Sequence, residues 1–559
     1  MNFQKALKPL RVLVGVVTLS LFVWAFSDFT HRVPQELFSA LTWAQFVPSL
    51  LQSVWIVLGV ATGGFVLVIL LTLLFGRVYC SWICPLGIFN DVFYYIGKKL
   101  RPKRKKMRYT LSNDWFRYSL LFLVVVTVVF FGINIFLSLL DPYSIFGRFA
   151  ADFGKPAYLY INNGLHRVSQ GILPGMFHLE NIKSIPWEAL LIPGVFLGLI
   201  AGMSFFRGRL YCNTICPVGT LLGALSHLSL FRIGFNRSGC TRCGECMFAC
   251  KSQCIDIKNL KVDFSRCVGC FNCIDACKNN SMGYQWFRKK QKEKPRMQPV
   301  QDSGPDHSKR KFIAGALLAL PLVSATLRKT QAQGGSSGLQ GGTGNASSGV
   351  ENPAEGIDTA VAEYKSGRNP VAKENAVMPP GAVSFQHFSA ACTACHLCVS
   401  ACPTGVLRPS FLEFGWLHML KPHMDYDASF CNFACTTCSD VCPTGALVKF
   451  SPPEAKMTAQ IGIAEFHPNN CIVETEHTAC GACAEHCPTQ AVHMVPFHIP
   501  GLTIPKVEPD LCVGCGACEY ACPTRPYRAI FVNGLIQHQV ARSPVGEKVD
   551  DLIREDFPF

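Results

Sequence analysis

Long apolar stretches in the N-terminal part of the chain predict helices that cross a membrane. Crossing a hydrocarbon layer about 30 Å thick takes about 20 apolar residues, and the stretches 54–75 and 118–140 reach this length without a charged residue. The stretch 187–206 carries one acid near its start, and 10–26 is shorter. A cleaved signal peptide is the alternative for 10–26, but no small-residue cleavage site follows it. We therefore predict four spans.

Basic residues between these stretches predict how the helices are oriented, because short cytoplasmic loops carry an excess of Lys and Arg. Ten such residues lie in 76–117, one lies in 27–53 and four lie in 141–186. The segment 76–117 is therefore expected in the cytoplasm, together with the N-terminus and the residues that follow 206.

The rest of the chain divides by composition. Residues 308–313 (SKRKFI) resemble a twin-arginine export signal with Lys in place of the first Arg, and the apolar run that follows to 327 could also be an ordinary fifth span. Both interpretations place the C-terminus outside. A Gly/Ser-rich tether at 334–349 leads to a polar, acidic domain. The predicted parts are a membrane unit (1–230), a Cys-rich cytoplasmic segment (231–290), a basic linker with the export-like segment (291–330), a flexible linker (331–380) and a Cys-rich periplasmic domain (381–559).

Composition excludes several functional classes. The chain has 559 residues, of which 49% are hydrophobic and 29 are Cys, a combination that suits neither a soluble intracellular enzyme nor a disulfide scaffold. Lys and Arg outnumber Asp and Glu by 39 to 15 in 1–330, and are outnumbered by 22 to 13 in 331–559. Because the basic residues flank apolar stretches, membrane topology explains them, and we predict no nucleic-acid partner.

A repeated motif carries the first four cysteines. Residues 76–87 and 208–219 both read G-R-x-Y-C-x3-C-P-x-G at the predicted cytoplasmic ends of two spans. Cysteines four residues apart share one face of a helix, so the two copies could present four thiols to one another. Buried cysteines that pack as small apolar residues are the alternative. We predict a further metal centre or a redox-active thiol pair at this repeat site, which comprises Cys80, Cys84, Cys212 and Cys216.

Eight further cysteines have the spacing of a two-cluster ferredoxin. Two runs of C-x2-C-x2-C-x3-C lie in 240–277, and in this arrangement the fourth Cys of each run ligates the other cluster. Zinc prefers separated pairs of cysteines, so we predict two [4Fe-4S] clusters. Their ligands are Cys240, Cys243, Cys246 and Cys277 (inner site 1) and Cys250, Cys267, Cys270 and Cys273 (inner site 2). Lys251 and Lys278 replace the Pro that usually follows the fourth Cys, and Cys254 is either a bystander or an alternative to Cys250.

Sixteen cysteines in 392–522 form four motifs that each end in Cys-Pro, which predicts four more [4Fe-4S] clusters. The motifs can be paired in two ways: each with its neighbour, or the first with the last and the two middle motifs with each other. Both pairings use the same sixteen ligands but group them into different clusters. The segment 392–396 (CTACH) matches a c-type haem signature, but a haem there would leave a cluster short of ligands. Pairing neighbouring motifs gives outer site 1 (Cys392, Cys395, Cys398, Cys442), outer site 2 (Cys431, Cys435, Cys438, Cys402), outer site 3 (Cys512, Cys515, Cys518, Cys487) and outer site 4 (Cys471, Cys480, Cys483, Cys522).

Six clusters predict one-electron transfer as the function. The chain contains no dinucleotide fingerprint, phosphate-binding loop, nucleophile elbow or zinc-protease motif, so direct oxidation of NADH is not expected. A redox chain anchored in lipid would meet a lipid-soluble carrier, which suggests a quinol. The parts together predict an α-helical membrane bundle with ferredoxin-like α+β modules on both faces.

These features resemble known ferredoxin families. Residues 1–290 resemble the NapH/NosR type of membrane ferredoxin in their four predicted helices, the two Cys-x3-Cys-Pro motifs and the two-cluster module. Residues 308–559 resemble the NapG type, an exported periplasmic ferredoxin with four clusters, and the MauM and MauN ferredoxins are similar. The departures are the Lys-Arg export signal, the missing Cys-Pro of the inner module and the absence of a flavin domain of the NosR type.

The resemblance implies a (mena)quinol dehydrogenase component of the bacterial inner membrane. Electrons would leave the quinone pool and pass through the outer domain to a periplasmic redox partner, whose docking the acidic balance of that domain would favour. The alternatives are a transmembrane conduit from a cytoplasmic donor, and an electron supplier for the maturation of a periplasmic enzyme.

Overall fold

The N-terminal half of the chain folds into helices. The computed structural model describes residues 3–27, 33–55, 63–100, 108–169, 187–236, 239–286 and 373–542; the basic run 101–106, the export-like segment and the Gly/Ser-rich tether lie outside these ranges. The helices of this half are α1 (Phe3–Ser27), α2 (Gln35–Trp43), α3 (Phe46–Trp55), α4 (Gly63–Phe75), α5 (Tyr79–Trp82), α6 (Pro85–Leu100), α7 (Asp114–Phe131), α8 (Ile135–Leu140), α9 (Pro142–Phe149), α10 (Lys155–Ser169), α11 (Trp187–Arg207), α12 (Leu210–Thr214) and α13 (Pro217–Leu225).

Three helices in the described ranges are long and apolar enough to cross a membrane: Gln4–Ser27, Asp114–Phe131 and Leu190–Arg207. They correspond to three of the predicted spans. The remaining one, predicted over 54–75, appears as the 13-residue apolar helix α4, with 56–62 outside the description. The fifth span, predicted near 312–327, also lies outside it.

The predicted span 118–140 does not continue as one helix. It ends at Phe131, because Gly132 adopts a left-handed φ of +64° that closes the last turn. The chain then forms a layer of short buried helices, which consists of α8, α9 and a π-helix (Ala150–Gly154). Asp141 begins α9, where its carboxylate accepts hydrogen bonds from the backbone N–H and the hydroxyl of Ser144, both at 2.8 Å.

The inner module, which follows the helices, repeats one small unit twice. Helix α14 (Glu245–Ala249) leads to Cys250, and α15 (Asn272–Ala276) leads to Cys277. After each cysteine the chain turns through a left-handed residue, Gln253 or Asn280, into a strand. The inner module has two antiparallel strand pairs. They are β1 (Phe231–Phe235) with β4 (Met282–Trp286), and β2 (Ile255–Asp256) with β3 (Lys261–Val262).

The outer module has short helices and three antiparallel strand pairs. Its helices are α16 (Phe385–Ala391), α17 (Leu397–Ala401), α18 (Thr437–Asp440), α19 (Ile472–Thr475), α20 (Ala482–Glu485) and α21 (Ala517–Ala521). Its strand pairs are β5 (Leu407–Pro409) with β6 (Pro422–Met424), β7 (Ala459–Phe466) with β10 (Ile530–Val540), and β8 (Val492–Pro496) with β9 (Thr503–Val507).

The outer module begins earlier than the boundary at 381 that composition predicts. Val377 and Met378 are fully buried in its core, and the carbonyl of Val377 accepts the N–H of Met424 at 2.9 Å. Residues 373–380 therefore belong to this module and not to a flexible linker, because their apolar side chains are needed to close the core over β6.

Candidate metal centres

Four cavities have walls lined by cysteine thiols. Three lie in the outer module and are lined by the cysteines of outer sites 1, 3 and 4, respectively. The fourth is lined by the cysteines of inner site 2 together with Cys254. In the described ranges no three Cys, His, Asp or Glu side chains are placed to hold one metal ion. Thiols spread around a cavity fit a [4Fe-4S] cube, which is held by four thiolates.

For the two remaining sites, inner site 1 and outer site 2, the causes of the pKa shifts indicate which thiols lie close together. Burial, together with the other three thiols of inner site 1, raises the pKa of Cys246 to about 11. Burial also raises the pKa of Cys438, and the other three thiols of outer site 2 raise it further. In all six sites, therefore, the structure brings together cysteines of neighbouring motifs. For the four outer motifs this excludes the pairing of the first motif with the last.

Threonine hydroxyls approach the ligand sulfurs in the outer module only. Each outer motif ends in Cys-Pro-Thr, and the Thr Oγ1 lies 3.1 to 3.9 Å from the Cys Sγ, with Thr524 and Cys522 forming the shortest contact. The equivalent positions of the inner module hold Ser252 and Asn279, for which no such contact is present among the described atoms. Because hydrogen bonds to sulfur help to set cluster potentials, the inner and outer sites differ in a property that controls electron flow.

At the repeat site, the arginine of each copy of the motif forms a hydrogen bond with the backbone of the other copy. Arg77, in the first copy, donates from Nη2 to the carbonyl of Cys212 at 2.8 Å. Arg209, in the second copy, donates from Nη1 to the carbonyl of Cys80 at 2.7 Å. Both guanidiniums are fully buried, so each copy of the motif needs the other to satisfy its arginine.

The final glycine of each motif is required by the same packing. A Cβ on Gly87 would lie 2.1 Å from the carbonyl oxygen of Cys80, and one on Gly219 would lie 2.3 Å from that of Cys212. The backbone N–H of Gly219 donates to Cys216 Sγ at 3.3 Å, so this cysteine also caps α13. A Cβ on Gly87 would also lie 2.9 Å from Arg209 Nη1, and one on Gly219 would lie 2.8 Å from Arg77 Nη2, so both glycines leave room for the arginine of the other copy.

The four thiols of the repeat site are all buried in one hydrophobic core. Burial raises the pKa of Cys84, and Cys80 and Cys212 raise it further. Burial and the other three thiols likewise raise the pKa of Cys216. Four buried thiols beside two buried guanidiniums fit an anionic metal–thiolate group, because the cations offset the charge that four thiolates would bring.

A single carboxylate joins α1, the repeat and the inner module. Asp91 accepts hydrogen bonds from Arg209 Nε at 2.8 Å, from Arg11 Nη1 at 2.8 Å and from Lys251 Nζ at 2.5 Å. Burial would raise the pKa of Asp91, but the three cations outweigh it and hold the pKa well below its usual range. We call these four residues the Asp91 cluster. Lys251, which stands where ferredoxins usually have Pro, therefore ties inner site 2 to the repeat site.

On the other side of the repeat site, the buried layer contacts the loop of outer site 1. Asn134 Nδ2 donates to the carbonyl of Cys392 at 2.9 Å, and Arg148 Nη1 donates to the carbonyl of Ala394 at 3.3 Å. Both polar side chains are buried. Outer site 1 is therefore the outer site held against the helical bundle.

His396, the histidine of the haem-like segment 392–396, has a structural role in this loop. Its Nδ1 lies 2.9 Å from Asp152 Oδ1 in the π-helix, and its Nε2 lies 2.8 Å from the carbonyl of Leu420. Both His396 and Asp152 are buried. The histidine thus fastens outer site 1 to the bundle, and its neighbouring cysteines line the cavity of that site.

Sequence reasoning missed Asp91, Asp152 and His396 as members of these junctions. Their partners are distant in sequence, so no local pattern marks them. For Arg77 and Arg209 a signal was present, because both copies of the repeat share the arginine.

Family models match most of these sites. A 4Fe-4S binding domain matches residues 58–104 and 189–236, and each range contains one copy of the repeat. A 4Fe-4S dicluster domain matches 391–447, and a second dicluster model matches 478–525. The chain therefore carries several [4Fe-4S] binding domains.

Curated relatives are ferredoxin-type proteins. The chain is 30% identical over 194 residues to the methylamine utilization ferredoxin-type protein MauN of Methylorubrum extorquens, covering 34% of this chain and 54% of the relative. It is 35% identical over 149 residues to MauM of that organism, covering 26% and 66%, and 25% identical over 191 residues to the ferredoxin-type protein NapH of Escherichia coli, covering 34% and 52%. The chain spans 54% to 64% of the length of three curated relatives that it matches. No solved structure matches it.

Proposed function

Because the chain is a homologue of ferredoxin-type proteins that include MauN, MauM and NapH, we propose that it carries electrons across a membrane through seven thiol sites arranged in series. Six sites would hold [4Fe-4S] clusters, and the repeat site would hold a seventh metal centre that joins the inner and outer modules. Bound iron–sulfur groups supply one-electron chemistry. The protein's own part is to hold them in sequence and to exclude water between them.

One observation carries this proposal: the repeat site shares a continuous hydrophobic core with a ligand of each module. Its four cysteines, Cys270 of inner site 2 and Cys395 of outer site 1 all belong to that core. The hydroxyl of Ser81, inside the repeat, donates to the carbonyl of Val268 beside inner site 2 at 2.7 Å. On the other side, Tyr211 donates from its hydroxyl to the carbonyl of Leu140 in the buried layer at 2.7 Å.

The outer module continues the series. Burial raises the pKa of Cys398 in outer site 1, and thiols that include Cys438 of outer site 2 raise it further. The N–H of Cys431 in outer site 2 donates to the carbonyl of Cys515 in outer site 3 at 2.9 Å. Burial raises the pKa of Cys518 in outer site 3, and thiols that include Cys483 of outer site 4 raise it further. Outer site 4 is thus the far end of the series.

The length of helix α1 gives the distance between the inner and outer modules, because the helix contacts both. Lys8 pairs with Asp275 of the inner module at 2.7 Å, and the carbonyl of Phe26 accepts the hydroxyl of Ser400 in the outer module. Residues 8 and 26 are 18 positions apart, which corresponds to about 27 Å at ~1.5 Å per residue. This is close to the thickness of a hydrocarbon layer, about 30 Å. With the positive-inside rule, it supports an inner module in the cytoplasm and an outer module in the periplasm.

The exposure of the cysteines favours inner site 1 as the point where electrons enter the series. All 29 cysteines lie in the described ranges, and among them Cys243 of inner site 1 is the exposed one. A soluble protein in the cytoplasm could therefore approach inner site 1 closely. This feature favours a transmembrane conduit over quinol oxidation, which was the first expectation from the family resemblance.

Quinol oxidation remains the second candidate because of two buried polar atoms in the helical half of the chain. Within the described part of the chain, Tyr143 Oη and Gln45 Nε2 have no hydrogen-bond partner. Gln45 in turn accepts the hydroxyl of Tyr79, which lies in the repeat, at 2.9 Å. A quinol hydroxyl could bind to either atom.

Anaerobic stopped-flow absorbance separates the two candidates. The oxidised full-length protein is mixed with a reduced flavodoxin, a soluble one-electron donor without iron–sulfur clusters, or with menadiol, and the broad visible iron–sulfur band is followed. The conduit predicts prompt bleaching by the flavodoxin and no bleaching by menadiol. Prompt bleaching by menadiol alone would overturn the conduit and establish quinol oxidation.

A further inference from the structure

The cavity of inner site 2 contains one thiol more than a four-iron cube needs. Its wall includes the four predicted ligands and also Cys254, whose side chain is 2% exposed. Cys254 Sγ lies 3.5 Å from Cys250 Sγ, and Cys267 lines the same cavity. This fifth thiol therefore belongs to the site by position, although the ferredoxin spacing leaves it out.

The local turn explains how two cysteines reach one side of the cavity. Cys250 and Cys254 are separated by a turn in which the N–H of Gln253 donates to the carbonyl of Cys250 at 3.3 Å. Gln253 has a left-handed φ of +53°, which folds the chain back so that both sulfurs point to the same wall.

The other half of the inner module supplies a natural comparison. There the same turn follows Cys277, with Asn280 at a φ of +51°, and Ser281 occupies the position equivalent to Cys254. The N–H of Ser281 donates to Cys277 Sγ at 3.2 Å. Inner site 1 therefore has the turn without the extra thiol.

We propose that Cys254 is an interchangeable ligand of inner site 2, so that the iron atom assigned to Cys250 can be held by either thiolate. In the exchange, the bond from iron to Cys250 Sγ breaks and a bond to Cys254 Sγ forms, while the thiol proton of Cys254 moves to Cys250. Neither the oxidation state nor the total charge of the site changes. The inference rests on the [4Fe-4S] content of the proposed function.

Iron content of the full-length purified protein tests the inference directly. We expect C250A and C254A each to keep the iron content of the unaltered protein, because one thiol remains in either case. The double variant C250A/C254A is expected to lose four iron atoms per chain. C277A is the matched control and is expected to lose four as well, since Ser281 cannot replace it as a thiolate.

A gain-of-ligand variant covers the case in which C250A does not fold. We expect S281C/C277A to regain the iron that C277A loses. Loss of four iron atoms from C250A would overturn the inference, and so would a failure of S281C to restore iron if C250A does not fold. Loss from C254A alone would make Cys254 an essential ligand and would equally overturn interchange. If the unaltered protein lacked iron at the inner sites, the proposed function would fail instead, so the two failures are distinguishable.

Discussion

Replacing Lys251 with Gln tests whether the Asp91 cluster controls the electron affinity of inner site 2. Lys251 and Lys278 each follow the fourth cysteine of an inner motif, so the two replacements are chemically identical. Lys251 is 2% exposed and pairs with Asp91, whereas Lys278 is exposed. Since a nearby cation favours the more negative reduced state, its removal should lower the potential, and burial should make the effect larger.

The expected magnitude follows from the two environments. A unit charge about 8 Å from a redox centre contributes about 2 kcal/mol at an effective dielectric constant of about 20, and about 0.5 kcal/mol in water. For one electron these energies correspond to roughly 85 mV and 20 mV, at about 59 mV per 1.4 kcal/mol. Asp91 cancels part of the field of Lys251, so we expect Lys251→Gln to lower the potential by about 30–80 mV. Salt screens Lys278 further, so Lys278→Gln should shift it by about 20 mV or less.

The assay is a redox titration of the full-length protein monitored by EPR, with each variant compared with the unaltered protein. Iron content serves as the control for folding. Arg209 and Arg11 still neutralise Asp91 in the variant, so we expect full iron. Equal shifts for the two variants, or a potential that does not fall with Lys251→Gln, would refute the reasoning.

Three further predictions concern the thiol sites. Replacing all four cysteines of the repeat site with Ser should lower the iron content, and an unchanged content would remove the metal centre from the account. Gly219→Ala should have the same effect on iron, because its Cβ would lie 2.3 Å from the carbonyl oxygen of Cys212; Gly202→Ala, with open space around it, is the control and should leave iron unchanged. Thr524→Val removes a hydrogen bond to Cys522 worth about 0.5–1.5 kcal/mol, so the potential of outer site 4 should fall by roughly 20–60 mV, and a rise in an EPR titration would contradict this.

The spacing of the cysteines along the chain is enough to predict which of them form a set. The ligands of a ferredoxin site lie within short motifs, so Cys392, Cys395 and Cys398 could be grouped without any tertiary information. The choice of Cys442 as their partner was left open, and the structure makes that choice by enclosing all four in one cavity.

Features that depend on distant contacts could not be predicted. Asp91 is one carboxylate in a helix, and only the fold brings Arg11 and Lys251 to it. Hydrophobicity alone also extended the second long span past Gly132, because an apolar window does not register a left-handed turn. The start of the outer module near Val377 was also missed, because the Gly/Ser-rich tether before it made the whole of 331–380 resemble a flexible linker.

The most direct test of the central claim asks whether electrons must pass through the repeat site. The variant Cys84→Ser/Cys216→Ser is reduced with a flavodoxin, which has no iron–sulfur cluster, and the visible iron–sulfur band is followed by stopped flow, with dithionite used afterwards to bleach all sites present. The account predicts rapid bleaching of the two inner sites only, with the four outer sites remaining oxidised until dithionite is added. Bleaching of the outer sites by flavodoxin at the rate of the unaltered protein would contradict it.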